Sequence, residues 1–227
     1  MPRIARRVIE DIPHHITQRG NNKQDIFFVD DDRRAYLEIL KRQSEKYGLT
    51  VMGYCLMANH VHLIAVPHKA DSLSKAAGRT HFIYTQYINR LHKRSGHLWQ
   101  GRFYSCALDE KHFLAAMRYI ERNPLRAGIC RKAWKYAWSS ASEHTGEKQR
   151  SDLIDLKGWF EIISAAEWKK LLMAGMEKAE MMKIRNYTHT GRPLGSDSFL
   201  SKLEKKIGCR LRPLPVGRPK KKGENNR

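Results

Sequence analysis

The sequence predicts an α+β fold: an antiparallel sheet of the split β-α-β kind with its helices on one face, followed by a helical, basic C-terminal extension. Three observations carry this. Short β-rich runs alternate with stretches of helical period through about residue 125. Two of those runs, "LTVMGYCLM" and "HVHLIAV", are separated only by Ala58-Asn59, which is how a hairpin is written. From Trp134 onward the strand signals give way to helical periodicity and, near the end, to lysine and arginine.

Taken in order, "HHITQRGNN" from His14 to Asn22 is β-permissive and ends in a Gly-Asn-Asn turn signal. "DDDRRAYLEILKRQSEKYG" offers Asp30 to Asp32 as N-caps, Gly48 as a stop, and Tyr36, Ile39, Leu40, Gln43 and Tyr47 on one helical face. The hairpin follows. Asp71 or Ser72 then caps a second helix through Leu73, Ala77, Tyr84, Tyr87, Ile88 and Leu91, ending near Gly96. "GRFYSCALD" is a fourth strand. "EKHFLAAMRYIERNPLRAG" is a third helix that stops close to Asn123, because Pro124 disfavours the helical region for the residue before it. A domain boundary is expected in the polar connector "YAWSSASEHTGEKQRSD", giving residues 1–145 and 146–227. In the second part Ser196 or Asp197 caps a short helix carrying Phe199, Leu200, Leu203 and Ile207, with Gly208 at its end.

The chain has 227 residues, 41% of them hydrophobic, enough to bury a core. Its 43 Lys and Arg against 23 Asp and Glu leave a formal charge of +20, which predicts a polyanionic partner. Ribosomal RNA, DNA and acidic membranes all satisfy that. Between Lys202 and Lys222 nine basic residues face one acid, Glu204. Gly-Arg-Pro tripeptides at 191–193 and 217–219 make Arg192 and Arg218 candidates for insertion into the minor groove of duplex DNA, the other reading being a solvated tail. The four cysteines form no Cys-x-x-Cys pair, the N-terminus has no signal-peptide core, and no apolar run reaches the roughly 18 residues of a membrane span. A soluble, cytoplasmic protein without a membrane partner is expected.

His60 and His62 interrupt an apolar strand. Residues two apart on a strand share a face, about 6.6 Å apart along the chain, so both imidazoles can converge on one metal ion. Tyr119 and Asn123 lie four apart on a helix and also share a face, about 6 Å apart along its axis. If that face packs against the strand, Asn123 can add an amide oxygen and Tyr119 a phenol. The metal would withdraw charge from a phosphodiester and the phenol would attack it, giving a phosphotyrosine whose bond energy allows rejoining without ATP. Lys93 and Arg102 are candidates for phosphate contacts among the interleaved cations and rings of residues 79–104.

"LMANHVHL", "LWQGRF", "RYIERNPLRAG" and "WSS" together resemble the single-tyrosine transposases of the HUH (His-hydrophobic-His) endonuclease class, and are most similar to the REP-associated tyrosine transposases. The resemblance covers roughly residues 1–145. It implies a ferredoxin-like sheet, cleavage and rejoining of single-stranded DNA hairpins through a 5′-phosphotyrosine, and a divalent ion, magnesium or manganese. By position, His60 and His62 match the metal-binding pair, Tyr119 the nucleophile and Asn123 the third ligand. The protein would then be associated with the nucleoid, as a monomer or homodimer. Ala58 departs from the proline that family members often carry there. Two rival readings fit part of the chain. One is a DNA-binding protein without catalysis. The other is a metal-free RNA phosphoesterase with two His-x-Thr or His-x-Ser tripeptides, of which only His15-Ile16-Thr17 is present.

Overall fold

The computed structural model describes residues 8–148 and 152–212. Arg218 and the second Gly-Arg-Pro lie outside them. Four strands, β1 (His14–Arg19), β2 (Leu49–Met57), β3 (His60–Pro67) and β4 (Tyr104–Ala107), form one sheet of order β2-β3-β1-β4 in which every pair is antiparallel. β1 thus enters between the hairpin and β4. This is the split β-α-β arrangement expected, with α1 (Asp30–Tyr47) linking β1 to β2 and α2 (Gly78–Leu91) linking β3 to β4.

Period-two alternation divides the sheet into two faces. Ile16, Tyr54, Leu56, Val61, Leu63 and Ala65 pack with Tyr36, Ile39 and Leu40 of α1 and Tyr84 and Ile88 of α2. Met52, Cys55, Met57, Ile64 and Cys106 face the other way, against α3 (Glu110–Glu121) and the chain beyond it. The expectation of helices on one face therefore holds for α1 and α2 and is corrected for the rest. A four-stranded sheet with apolar residues on both faces needs a layer on each side, and α3 with the C-terminal segment supplies the second.

Local chemistry explains most element ends. Gly48 closes α1 in the left-handed conformation (φ 64°), which glycine adopts without a Cβ penalty. The N-cap of α1 is Val29, not one of the aspartates; Asp32 reaches back from the first turn, its carboxylate accepting from the Phe28 and Val29 amides at 2.7 and 3.1 Å. Neither Asp71 nor Ser72 caps α2. A π-helical turn, Leu73–Ala77, runs straight into it, and the Ser72 hydroxyl donates instead to the Tyr47 carbonyl at 2.7 Å. That helix ends at Leu91, which is exposed rather than buried. Asp109 caps α3, its side chain accepting from the His112 amide. α3 yields to the short α4 (Asn123–Arg126), since Pro124 has no N–H to continue the ladder.

Beyond the "WSS" segment come α5 (Ala141–His144), α6 (Leu156–Ile162), α7 (Ala165–Met173), α8 (Lys178–Thr190) and α9 (Asp197–Ile207). Ser196 caps the start of α9 and Gly208 its end, as the sequence indicates. The position expected for a boundary, near residue 145, lies just after α5. Trp159, Trp168, Leu172, Ile184 and Leu194 from beyond it share one apolar cluster with Ile64, Cys106, Phe113 and Ile120. Among the described residues no helix is long and apolar enough to cross a membrane.

Close approach at one glycine fixes the spacing of this second layer. A Cβ on Gly53 would lie 2.5 Å from Met117 Sδ and 2.9 Å from Ser140 Oγ. Gly53→Ala is expected to destabilise the protein by about 1–3 kcal/mol, as overpacking does, read as a lower urea midpoint at unchanged slope. An unchanged midpoint would mean that the layer can move away at no cost.

Candidate active site

The second face of the sheet is left uncovered at one end of β1 and β3, where a cavity of about 370 Å³ opens. Sheet register decides what it contains. Thr17 pairs with His62 and Arg19 with His60, while Thr17 also pairs with Tyr104. His60 and His62 therefore project beside Arg19, with ring centroids 5.0 Å apart. Tyr119 enters from the last turn of α3, its ring 5.8 Å from that of His62 and 6.1 Å from that of His15. Asn123, the first residue of α4, completes the group, with its amide nitrogen 3.3 Å from His60 Nε2.

The ring nitrogens have assigned partners. His60 Nδ1 donates to Asn59 Oδ1 at 2.6 Å, which leaves the Nε2 lone pair toward the cavity. His62 Nδ1 meets His15 Nε2 at 2.9 Å, so Nε2 is again the nitrogen left for the cavity. Burial holds the His60 imidazole down at about 4, with the Arg19 and Arg126 cations adding to it. Burial also holds His62 well below the usual histidine range, with His60, His15 and the same arginines contributing. His15 falls to about 3, by burial and then by His189. All three rings are therefore neutral near neutral pH, the form that can coordinate a cation.

These observations test whether a divalent ion fits. Two neutral imidazoles, each with one nitrogen anchored and the other toward a common cavity, fit well. Asn123 fits only after rearrangement. Its Oδ1 accepts from Arg126 Nη2 at 2.6 Å, and it presents nitrogen, not oxygen, to His60. A half-turn of the amide would exchange the two at the expense of the Arg126 contact. Among the described residues no cluster of three His, Cys, Asp or Glu side chains is arranged to hold a metal. The Asn123 amide is the donor nearest His60, and the Gln18 and Gln100 amides also line the cavity.

Charge around the cavity is strongly positive. Arg19, Arg102, Arg126 and Arg185 all line it, and Arg126 also lies over the Tyr119 ring, 4.6 Å from the centroid. Of the residues singled out for phosphate, Arg102 lines the cavity. Lys93 does not; it is exposed in the turn after α2. Arg192 donates to the Leu211 carbonyl at 3.1 Å, away from the cavity. Tyr84, Trp99 and Phe103, three of the rings between residues 79 and 104, are core. Sequence reasoning passed over Arg19, Arg126, Thr188 and His189, and considered His15 only as half of a His-x-Thr pair. Parity along β1 already put His15, Thr17 and Arg19 on one face. Which strand they would face was beyond a local reading.

Fold and cavity together define an α+β protein with an arginine-lined opening on one face of its sheet. The chain belongs to the IS200-like transposase family: the family model described as "Transposase IS200 like" matches residues 8–123, about half of its length. By class it is a transposase. Among solved structures it is similar to a REP-associated tyrosine transposase bound to a REP hairpin, at 15% identity and a TM-score of 0.54, over 68% of this chain and 94% of that one. That likeness bears out the fold. A Deinococcus radiodurans R1 protein described as a transposase aligns at 18% identity over 53% of this chain and 97% of that one, with a TM-score of 0.38. No curated protein matches by sequence.

The buried rings make stability depend on pH. Folded His60 titrates at about 4 while the unfolded residue titrates near 6.5, so only the unfolded chain takes up this proton as the pH falls. Stability of the metal-free protein is undiminished by this group above about 6.5 and falls between there and about 4. His60→Gln should flatten part of that decline, measured as melting temperature against pH. Equal slopes in the two proteins would show that His60 becomes charged in the folded state.

Proposed function

We propose that this transposase is a metal-assisted single-strand DNA endonuclease and strand transferase, with Tyr119 as nucleophile and His60 and His62 as the metal pair. The observation that carries the reading is the opening of a buried tyrosine and two neutral imidazoles into one arginine-lined cavity. A magnesium or manganese ion held by His60 and His62, with Asn123 as a third donor, would supply Lewis-acid withdrawal of charge from a phosphodiester oxygen.

This chain's own residues do the rest. Arg19, Arg102 and Arg185 hold the phosphates that flank the scissile one, as guanidinium groups do through paired hydrogen bonds. Arg126 pins the Tyr119 ring and the Asn123 amide at once, so that the two face the same space. The Tyr119 phenol gives its proton to solvent, its oxygen bonds to phosphorus, the bond from phosphorus to the 3′ oxygen breaks, and that oxygen leaves as a hydroxyl after taking up a proton from solvent. A 5′-phosphotyrosine remains. Attack on it by a 3′ hydroxyl reverses the step and joins strands.

Hairpins of single-stranded DNA are the substrate in this reading, supported by the hairpin bound to the similar transposase. The basic C-terminal end adds affinity for duplex DNA, and the protein works in the nucleoid as a monomer or homodimer. Metal dependence separates it from a His-x-Thr phosphoesterase.

Labelled palindromic hairpins incubated with manganese should give a covalent adduct on a denaturing gel with wild type. Tyr119→Phe and His60→Ala, or wild type with chelator, should give none while still binding DNA. Tight binding by all three proteins with no adduct from any hairpin would leave a DNA-binding protein without catalysis. Affinity should fall steeply as salt rises, since released counterions drive binding to phosphate. A salt-independent affinity would count against the arginine-lined cavity as the binding surface.

A further inference from the structure

His62 does not stand alone on its strand. Behind it runs a chain of hydrogen bonds that starts in α8, well beyond the segment matched by the family model. The Thr188 hydroxyl donates to the Ile184 carbonyl, one turn earlier in the same helix, at 2.7 Å. With its one proton committed there, Thr188 Oγ1 acts as acceptor toward its next partner, His15 Nδ1, at 2.8 Å. His15 thus carries its proton on Nδ1, and in a neutral ring Nε2 is then an acceptor. Nε2 faces His62 Nδ1 at 2.9 Å, a contact that requires the proton to be on His62. His62 is left with a single lone pair, on Nε2.

The Cys106 thiol also reaches Thr188, and as an acceptor it would likewise leave Thr188 Oγ1 to accept from His15. Thr188 and His15 are each 1% exposed and His62 is 6% exposed, so water competes poorly for their polar atoms. The two imidazoles lie nearly parallel, with centroids 5.1 Å apart and planes 19° apart, which keeps their edges in register. The direction of the chain is therefore set at its far end, by a backbone carbonyl that can only accept. His60 reaches the same tautomer by a shorter route, through Asn59 Oδ1.

We propose that Thr188 and His15 are positioning residues that fix His62 as its Nδ1–H tautomer and aim its Nε2 lone pair into the cavity for a divalent cation. α8 is then part of the site although it lies in the C-terminal extension, and its docking on β1 and β4 completes a ligand that β3 alone leaves undefined. The last step rests on the metal-pair reading above. The tautomer does not.

The test uses the full-length protein. With histidine labelled by 15N, long-range proton–nitrogen correlation spectra of the metal-free protein near neutral pH report which ring nitrogen of His62 bears the proton. Manganese affinity is measured separately by calorimetric titration. Wild type should show Nδ1–H for both His15 and His62. Thr188→Val, which keeps the shape and removes the hydroxyl, should abolish the single tautomer at His62 and weaken manganese binding about 10-fold or more, the usual cost of a lost outer partner. Thr188→Ser should restore both. His15→Leu, read the same way, keeps the test decisive should Thr188→Val fail to fold. An Nε2–H tautomer at His62 in wild type would overturn the proposal, as would a folded Thr188→Val protein with unchanged spectrum and affinity. Wild type with Nδ1–H at His62 but no manganese binding would overturn the cation step and the metal-pair reading together, and leave the tautomer relay standing.

Discussion

The wholly buried Glu121 carboxylate is the fixed point of the second layer. It accepts from Ser140 Oγ at 2.5 Å, His144 Nδ1 at 2.6 Å and Trp168 Nε1 at 2.8 Å, and so ties α3 to the "WSS" segment, α5 and α7. Burying a carboxylate without such partners costs several kcal/mol, so these three elements hold one arrangement together. Ser140 Oγ accepts in turn from the Tyr54 amide at 3.0 Å, which fastens the group to β2. Tyr119 and Asn123 flank Glu121 by two residues on either side. Their place beside His60 and His62 follows from how firmly this turn is held.

A second constraint acts from the sheet. A slip of one residue between β1 and β3 would turn His62 into the apolar face and remove His15 from its side. Ile16, Val61, Leu63 and Ala65, all buried against α1 and α2, make that slip prohibitive. The apolar face of the sheet thereby sets the polar geometry of the other. Packing on one side of a strand and chemistry on the other are the same choice of register, expressed twice.

The C-terminal extension gives the third contribution. Thr188, Arg185 and His189 come to the cavity from α8, and Leu194 pairs with Leu108 beyond the end of β4. The transposase-family match ends at residue 123, so the segment that closes the site lies outside it. Composition suggested for this region a basic appendage, and the positive charge is there. Its tryptophans and leucines also bury the sheet, which composition could not distinguish from a free amphipathic helix.

What the sequence determined by itself was local. Period two put His60 and His62 on one face, Ala58-Asn59 closed the hairpin, Gly48 and Gly208 ended their helices, and Pro124 divided α3 from α4. Each depends on residues within a few positions of one another, where steric rules for the backbone suffice. Spacing predicted Tyr119 and Asn123 on one helix; they fall on α3 and α4, yet both line the cavity. Other features were decided only in three dimensions: Val29 as cap of α1, the π-helical turn before α2, the amide of Asn123 turned toward Arg126, and the contacts from Thr188 to His15 and His15 to His62. Those last two span 173 and 47 residues. Contacts over such separations exist only once strand register and layer packing are set, and those are fixed by the whole buried surface rather than by any motif.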